Sequence, residues 1–181
     1  MEWCIIFFLI FFAILLYMSE DVSGKLHEIA VTAIIVKDGK YLVTHRCNPN
    51  KKFYDMWTVP GGRLEVADYE RFSKDTSVHW YNIVEKVLRR EISEEVGLEI
   101  ENVDYLTSIA MIVGKHPSLI LSFIADYKSG EVVLQEDELD KAEWVTLEEA
   151  KEYNLIEGIY DELVMAEDHQ RRIKVDWKKA R

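Results

Sequence analysis

Runs of apolar residues separated by short polar turns occupy most of the chain from residue 28 onward. Residues 29–36 are almost continuously apolar and rich in β-branched side chains, which predicts a strand covered on both faces. Residues 37–40 carry Asp-Gly at their centre, as tight hairpin turns do, so residues 41–45 are predicted to form the partner strand. The same criteria predict further strands at residues 57–59, 103–113, 119–127 and 143–145.

Helical patterns alternate with these strands. Residues 81–96 place apolar side chains every three or four positions, and Gly97 is suited to end that helix in a left-handed backbone conformation. Thr-Leu-Glu-Glu at residues 146–149 is typical of a capping box, which would open a further helix, and residues 156–167 suit a terminal helix. Strands and helices that alternate in this way predict the α/β class.

Two sets of breaker residues are predicted to interrupt the strands. Pro-Gly-Gly at residues 60–62 stops the short third strand, and His116 with Pro117 predicts a turn between two later ones. No internal repeat or linker divides the chain further. One folded domain is therefore expected over residues 28–168, followed by a polar tail at residues 169–181 that frays.

Composition narrows the range of functions. The 181 residues include 33 Asp and Glu against 22 Lys and Arg, a net charge of −11, and 49% are hydrophobic, which excludes a disordered chain. An acidic protein lacks the basic face of a general nucleic-acid binder. Cys4 and Cys47 are too few to hold a fold together with disulfide bonds, and they lack the spacing of zinc ligands. A reducing compartment, and hence a cytoplasmic domain, is therefore expected.

The N-terminal segment, residues 1–20, differs from the rest of the chain. Residues 3–18 form a sixteen-residue run without a charge, slightly short of a bilayer span. Three interpretations remain open: a membrane anchor that tethers the domain, a start codon placed too early with Met18 as the true first residue, or a core helix that is apolar on all sides. A secretory signal fits poorly, because no basic residue precedes the run.

The helix that ends at Gly97 carries three glutamates close to its apolar stripe. Glu91, Glu94 and Glu95 are spaced i, i+3 and i+4, so they share one face and repel one another. Proton sharing or a bound divalent cation would relieve this repulsion, and Mg²⁺ or Mn²⁺ prefers carboxylate oxygen. The alternative is a solvated acidic face on which Arg89 or Arg90 pairs with Glu94.

The segments WTVPGGRLE, residues 57–65, and REISEEVGL, residues 90–98, together resemble the signature of the Nudix hydrolase family. That signature is a glycine, five residues, a glutamate, seven residues, and then Arg-Glu-aliphatic-x-Glu-Glu-x-Gly-aliphatic. The resemblance implies an α/β/α sandwich built on a mixed β-sheet. The matching positions are Gly62, Arg90, Glu91, Ile92, Glu94, Glu95, Gly97 and Leu98.

The chain departs from the signature in two ways. Asp68 stands where the family has its first glutamate, and Glu70 is a rival for that role. In addition, 21 residues rather than seven separate Asp68 from Arg90, which implies a 14-residue insertion (21 − 7) at about residues 69–82. Loop closure becomes only slowly more costly with length, so an insertion before the helix is tolerated. Its residues His79, Trp80 and Tyr81 are predicted to form either an apolar anchor or a rim facing a nucleobase.

The resemblance also implies roles for the matching residues. Glu94 and Glu95 become the principal ligands of Mg²⁺ (or Mn²⁺), and Glu91 a further ligand or the catalytic base. The Gly62 carbonyl adds a main-chain oxygen, and Arg90 orients a carboxylate through a bidentate pair. On this interpretation the catalytic group consists of Glu91, Arg90 and Glu94.

Two residues outside the signature are candidates for substrate binding. Arg46 ends a strand near the expected site and could meet a phosphate, although an edge-strand surface pair is an alternative. Glu138 belongs to the acidic run 136–138, where some members of the family have their general base, although an exposed acidic turn explains the run equally well.

The expected function is hydrolysis of a nucleoside diphosphate linked to another group, by attack of water at phosphorus and with help from a divalent metal ion. Two alternatives from other classes are a catalytically silent module that binds nucleotides and an isomerase of isopentenyl diphosphate, which needs a reactive cysteine. The expected partner is a small phosphorylated nucleotide, with a membrane involved only if residues 3–18 are an anchor, and homodimers are common in the family.

Overall fold

The computed structural model describes residues 25–113 and 116–172. Within this part, the strands are β1 (Glu28–Lys37), β2 (Lys40–Arg46), β3 (Trp57–Thr58), β4 (Gly61–Arg63), β5 (Glu99–Val113), β6 (His116–Ser129) and β7 (Leu139–Val145). The helices are α1 (Ala67–Glu70), α2 (Ile83–Val96) and α3 (Ile159–Gln170), with one 3-10 turn at Glu149–Glu152.

The strands form one mixed sheet. Its central order is β3-β2-β1-β6-β5, while β4 pairs with β1 and β7 pairs with β2. The β1–β6 pair is parallel, whereas β1 pairs antiparallel with β2 and β4, and β5 antiparallel with β6. The middle of β1 has essentially no exposure to solvent, as its nearly continuous apolar sequence predicts for a strand covered on both faces.

Two apolar cores lie on opposite faces of this sheet, so the α/β/α sandwich with a mixed sheet is confirmed. Alternation along β1 sends neighbouring side chains to different cores. The core that includes α2 consists of Val31, Ala33, Ile35, Leu42, Val87, Leu88, Ile92, Val96, Leu98, Ile100, Ala125 and Leu139. The core that includes α3 consists of Ile34, Val36, Tyr41, Val43, Val59, Leu106, Ile124, Val145, Ala150, Ile159, Leu163, Met165 and Ala166.

The predicted stop of the third strand is confirmed, because β3 ends at Thr58, but Gly61 and Gly62 then begin a further strand of the sheet, which was not predicted. Gly61 and Gly62 belong to β4 and pair with Thr32 and Val31 of β1. A Cβ atom at Gly61 would lie 2.2 Å from the carbonyl oxygen of Val31. The two glycines therefore allow β4 to approach β1 more closely than any residue with a side chain could.

The predicted turn at His116 and Pro117 is wrong. Both residues lie in β6, where they pair with Val113 and Ile112 of β5. Pro117 precedes the first pair between β6 and β1, Glu28 with Ser118, so its missing N–H removes nothing from that ladder. Several predicted boundaries are shifted for a similar reason, because pairing extends the strands beyond their apolar runs: β5 begins at residue 99 and β7 at residue 139.

The predicted helix signals are confirmed with adjusted limits. Gly97 ends α2 in the left-handed conformation, with φ +70°, and its N–H donates to the Ser93 carbonyl. In the capping box, the Thr146 N–H donates to Oε2 of Glu149 at 2.8 Å, and the Glu149 N–H donates to Oγ1 of Thr146 at 3.2 Å. This box opens only a single 3-10 turn, and α3 begins after Gly158, three residues later than expected.

Parts of the prediction lie outside the described residues. These parts are the apolar run at residues 3–18 and residues 173–181 of the predicted tail. Within residues 25–113 and 116–172, no helix is both long and apolar enough to span a bilayer.

Candidate active site

The candidate site lies where β4 meets the C-terminal half of α2. The apolar stripe of α2 packs on the sheet through Val87, Leu88, Ile92 and Val96. Glu91 and Glu95, one turn apart, stand at the border of this stripe and point toward the Gly61–Gly62 backbone. Burial of the stripe thus brings two carboxylates against a strand that has no side chains of its own at these positions.

Glu95 is the most buried acidic side chain of the site, with 7% of its surface exposed. Its Oε2 atom accepts a hydrogen bond of 2.9 Å from the Gly61 N–H. The pKa of Glu95 is raised to about 7. Burial is the largest cause, the negative charges of Glu91 and Glu138 act in the same direction, and the hydrogen bond from Gly61 acts against them. Near neutral pH this carboxyl is therefore poised between its charged and uncharged forms.

Glu91 lies directly against Gly62. A Cβ atom at residue 62 would stand 2.0 Å from Cδ of Glu91, so the carboxylate occupies the space that any other side chain would need. Burial raises the pKa of Glu91, while the Arg90 guanidinium lowers it and the charges of Glu94 and Asp68 raise it. Glu91 and Glu95, both with raised pKa values, thus lie against the same Gly61–Gly62 backbone.

Arg90 joins three carboxylates at the edge of this pair. Its guanidinium contacts Asp68 at 2.8 Å, Glu91 at 2.8 Å and Glu94 at 2.5 Å. Burial lowers the pKa of Arg90, but the hydrogen bond to Glu94 and the surrounding negative charges outweigh this, so its pKa is raised overall. Arginine can hold several carboxylates in fixed positions because its donors are spread over a planar fork.

The structure distinguishes between Asp68 and Glu70. Asp68 is 8% exposed, pairs with Arg90, and accepts the Glu65 N–H through Oδ2 at 2.7 Å. Glu70 is exposed to solvent. The short helix α1 at the start of the insertion carries Asp68 to the position where it reaches the signature arginine.

Glu94 stands apart from the other two glutamates. Its side chain is 55% exposed and forms an ion pair with Arg90, as the alternative interpretation of the acidic face predicts. No group of three or more Asp, Glu, His or Cys side chains is arranged to hold a metal ion within residues 25–113 and 116–172. The structure thus brings together two of the three predicted carboxylates.

The residues beside Gly62 nevertheless fit a divalent cation. Both carboxyls offer hard oxygen donors, and burial together with their like charges raises both pKa values. A cation between them would stabilise the charged forms that burial disfavours. The absence of a Cβ atom at Gly62 leaves the Glu91 carboxylate and the glycine main chain in contact, with no side chain between them.

Arg46 and Glu138, the two predicted substrate-binding residues, lie close enough to Glu95 to influence it. The charge of Glu138 raises the pKa of Glu95, and the charge of Arg46 lowers it. Glu138 also forms an ion pair with Lys51. The acidic run 136–138 is therefore not uniformly solvated, because Glu138 turns toward the site with 21% of its side chain exposed.

Sequence reasoning missed a histidine–aspartate arrangement next to Arg46. His45 is 9% exposed; its Nδ1 lies 2.6 Å from Asp140 and its Nε2 lies 3.3 Å from Asp55. The hydrogen bond with His45 lowers the pKa of Asp140. No spacing rule links these three residues, which belong to β2, β7 and the loop between β2 and β3, so only pairing of the strands reveals the cluster.

Aromatic residues of the insertion contact one another. The rings of Tyr69 and Trp80 are 5.2 Å apart, and the Trp80 indole N–H donates to the Phe72 carbonyl at 3.0 Å. These contacts are internal to the insertion, so they do not distinguish between the two roles predicted for residues 79–81, and Tyr81 is 57% exposed.

Comparison with known proteins adds an independent line of evidence. A family model described as NUDIX domain matches residues 26–164. The NAD-capped RNA hydrolase NudC of Mannheimia succiniciproducens is 37% identical over 136 residues, which covers 72% of this chain and 45% of that protein. The NudC of Pseudomonas aeruginosa is 45% identical over 65 residues, 36% of this chain and 23% of that protein. The chain thus spans less than half the length of these curated relatives.

Solved structures share the fold. The MutT NUDIX hydrolase of Burkholderia pseudomallei superimposes with a TM-score of 0.62 at 22% identity, covering 77% of this chain and 98% of that one. The NUDIX domain of Shewanella oneidensis NrtR, solved with ADP ribose, gives a TM-score of 0.60 at 17% identity, with 88% and 97% covered. At these identities the likeness concerns the fold alone.

Proposed function

The chain belongs to the Nudix family, and from that premise we propose that it is a divalent-metal-dependent hydrolase of a nucleoside diphosphate linked to another group. The observation that carries the proposal is the pair of buried carboxyls, Glu91 and Glu95, held against Gly61 and Gly62. Members of this family generally use divalent ions such as Mg²⁺ or Mn²⁺.

Each group in the site has a proposed task. Glu91, Glu95 and the Gly62 carbonyl would hold the ion, with Glu94 as a further ligand if its side chain leaves Arg90. When bound, a divalent ion neutralises phosphate oxygens and makes a nearby water more acidic. The charges of pyrophosphate otherwise repel an attacking hydroxide, so this assistance is needed at neutral pH.

The chain's own residues position these groups. The Gly61 N–H fixes Oε2 of Glu95, and Arg90 fixes Glu91 while its other contacts bind Asp68 and Glu94. Two carboxylates remain candidates for the base that takes a proton from water: Glu91, whose pKa is raised by burial, and Glu138, which lies beside Glu95. Arg46 would contact a substrate phosphate from the end of β2.

The relatives suggest a narrower substrate class. The curated NudC proteins are named NAD-capped RNA hydrolases. We extend this to the chain as a proposal: its substrate carries a pyrophosphate between two nucleosides, as NAD and an NAD cap do. The partner is then a small phosphorylated nucleotide or the modified 5′ end of an RNA. A homodimer stays a prediction.

The two other functional classes are less well supported. A silent binding module would be expected to lack an acidic group or the arginine of the signature, and Arg90, Glu91, Glu94 and Glu95 are all in place. An isomerase needs a reactive cysteine. The thiol of Cys47 instead donates to the Glu136 carbonyl at 3.6 Å.

A product assay tests the proposal. The purified protein is incubated with NAD, ADP-ribose and dinucleoside polyphosphates, with Mg²⁺, with Mn²⁺ and with a chelator. We expect metal-dependent release of two phosphorylated products from at least the dinucleotides, with a rate at least a hundredfold above the chelated control because the ion lowers the barrier by several kcal/mol. Equal rates with and without metal ion, or products without a new phosphate end, would refute the hydrolase assignment.

A further inference from the structure

The loop between β2 and β3 concentrates positive charge beside the candidate site. Residues 46–56, named here the basic loop, contain Arg46, Lys51 and Lys52 against one acidic residue, Asp55. Their net charge is +2 (three cations minus one anion), whereas the whole chain carries −11. The acidic run 136–138 contacts this loop through Lys51, Cys47 and Asn48, so the positive charge open to an anionic partner is that of Arg46 and Lys52 rather than that of the loop as a whole.

Two of these cations are available for such a partner. Neither Arg46 nor Lys52 forms an ion pair with a carboxylate in the part of the chain that the structure describes, and Lys52 is exposed. The Arg46 Nε donates to the Lys52 carbonyl at 3.2 Å, which joins the two residues through the loop backbone. Lys51, by contrast, pairs with Glu138 and so connects the basic loop to the edge of the site.

The basic loop also presents two neighbouring aromatic rings to solvent. Phe53 is 36% exposed and Tyr54 is 52% exposed. Phe53 and Asp55 adopt left-handed backbone conformations, with φ of +60° and +59°, which are costly for residues other than glycine. Exposed rings in a strained loop persist only where surrounding contacts fix the backbone.

Such contacts are present on both sides of the loop. The Asp55 N–H donates to the Arg46 carbonyl at 2.9 Å, and the Arg46 N–H donates to the Met56 carbonyl at 3.0 Å. The Cys47 N–H donates to the Glu138 carbonyl at 3.0 Å, which fixes the loop to the acidic run at the site. The backbone that carries the rings and cations is therefore fixed before any partner arrives, which reduces the entropy that the main chain loses on binding.

We propose that the basic loop binds the first nucleotides of a single-stranded RNA that continues from the scissile pyrophosphate. Lys52 contacts a phosphodiester, and Tyr54 and Phe53 offer faces on which bases stack. Cations next to exposed rings, as in Lys51-Lys52-Phe53-Tyr54, are a combination with which proteins hold single strands without reading their sequence. A free dinucleotide has no phosphate beyond its pyrophosphate, and an acidic peptide would not require the rings. This inference rests on the proposed function and narrows its substrate class to a pyrophosphate-capped RNA 5′ end.

The test compares one long and one short substrate. A double variant, Lys52→Gln with Tyr54→Ser, removes one cation and one ring from the basic loop. Its matched control, Lys128→Gln with Tyr105→Ser, removes the same groups from β6 and β5, where each residue is about half exposed. KM and kcat are measured with NAD and with a five-nucleotide NAD-capped RNA.

We expect the basic-loop variant to raise KM for the capped RNA roughly tenfold, as the loss of one phosphate contact and one stacked base implies, with NAD kinetics changed less than about twofold. The control variant should change neither. An equal loss on both substrates would assign the loop a purely structural role and overturn the proposal. So would unchanged kinetics on both.

A binding measurement keeps this inference separate from the hydrolase assignment. Should wild-type protein hydrolyse neither substrate, the proposed function fails, but fluorescence anisotropy with a 5′-monophosphorylated RNA pentamer still tests the loop. The basic-loop variant is expected to bind the pentamer roughly tenfold more weakly than wild type at low salt, with a smaller salt dependence. Equal affinity of wild type, variant and control would overturn the subsite.

Discussion

Glu95 combines three properties that rarely coexist in one side chain. It is almost fully buried, it accepts a main-chain hydrogen bond from Gly61, and other acidic groups surround it. The hydrogen bond satisfies only one of its oxygens, so the charged form remains unfavourable, as its raised pKa indicates. A carboxyl in this position costs stability at neutral pH unless a cation accompanies it.

The pH dependence of stability follows from this. An unfolded Glu95 releases its proton near its ordinary pKa of 4.5, whereas the folded form keeps it until about pH 7. The unfolded state therefore binds fewer protons between these values, and stability falls as pH rises, by up to roughly 3 kcal/mol for this shift. Above pH 7 the loss is complete and stability levels off.

Glu95→Gln isolates this effect, because glutamine can still accept the Gly61 N–H but does not titrate. In metal-free buffer, we expect the free energy of unfolding of wild type to fall relative to Glu95→Gln between pH 5 and pH 7.5, measured by urea denaturation. The contribution of Glu162, whose pKa burial also raises, cancels in the comparison, whereas the repulsion between Glu91 and Glu95 is part of the difference that is measured. Parallel pH curves for the two proteins would contradict the account.

The sequence predicted that Glu91, Glu94 and Glu95 share one face of α2, but it could not show which of these side chains point toward β4. At about 100° per residue, Glu91 and Glu95 lie about 40° apart around α2, whereas Glu94 and Glu95 lie about 100° apart. Only the first pair therefore points at the same glycine segment. Which side of the arc faces β4 depends on how the helix rests on the sheet, and that is a property of packing rather than of spacing.

At the scale of elements, the insertion changes how the signature is assembled. The first acidic position is supplied by α1, whose Asp68 reaches Arg90 and accepts the Glu65 N–H. Aspartate is one methylene shorter than the glutamate of the signature. Because the tip of α1 carries the residue to the arginine, the shorter side chain still makes contact. The sequence left Asp68 and Glu70 as rivals, since a motif offset cannot show which residue is buried.

Substitution of these two residues tests the role of α1. Asp68→Asn should destabilise the protein by about 1–3 kcal/mol, because Arg90 loses a buried charged partner but keeps Glu91 and Glu94. Turnover should also fall, since Arg90 positions Glu91. The matched control, Glu70→Gln, changes an exposed residue, so its stability should stay within about 0.5 kcal/mol of wild type.

Thermal denaturation and steady-state kinetics measure both variants. Equal effects of the two substitutions would show that Asp68 does not hold the arginine. A larger effect of Glu70→Gln would instead assign the first acidic position to Glu70.

Some elements escaped prediction because strand pairing overrides local signals. Pro-Gly-Gly and His-Pro are breakers in isolation, yet Gly61, Gly62, His116 and Pro117 all lie in strands. Gly61 is required by the close approach of two backbones, and Pro117 is tolerated where β6 has not yet met β1. Both explanations involve a neighbouring strand that is distant in sequence, so no local pattern contains them.

At the scale of the whole molecule, the alternation of apolar strands with helical patterns predicted the α/β class, whereas the sandwich was an implication of the resemblance to the Nudix signature. The order of the sheet was not predictable in the same way. The parallel pairing of β1 with β6 joins segments ninety positions apart, as Glu28 opposite Ser118 shows. The antiparallel pairing of β2 with β7 likewise brings His45, Asp140 and Glu138 to one edge, which is why the surroundings of Glu95 emerged only from the structure.

The central claim is that Glu91 and Glu95 hold a divalent cation, and direct binding tests it more closely than any rate. Isothermal titration of wild type, Glu95→Gln and Glu70→Gln with Mn²⁺ at pH 7.5 compares the site with an exposed carboxylate on α1. We expect wild type and Glu70→Gln to bind one ion with equal affinity, and Glu95→Gln to bind it at least tenfold more weakly, because one charged oxygen ligand is lost. Identical Mn²⁺ affinity in all three proteins would contradict the claim.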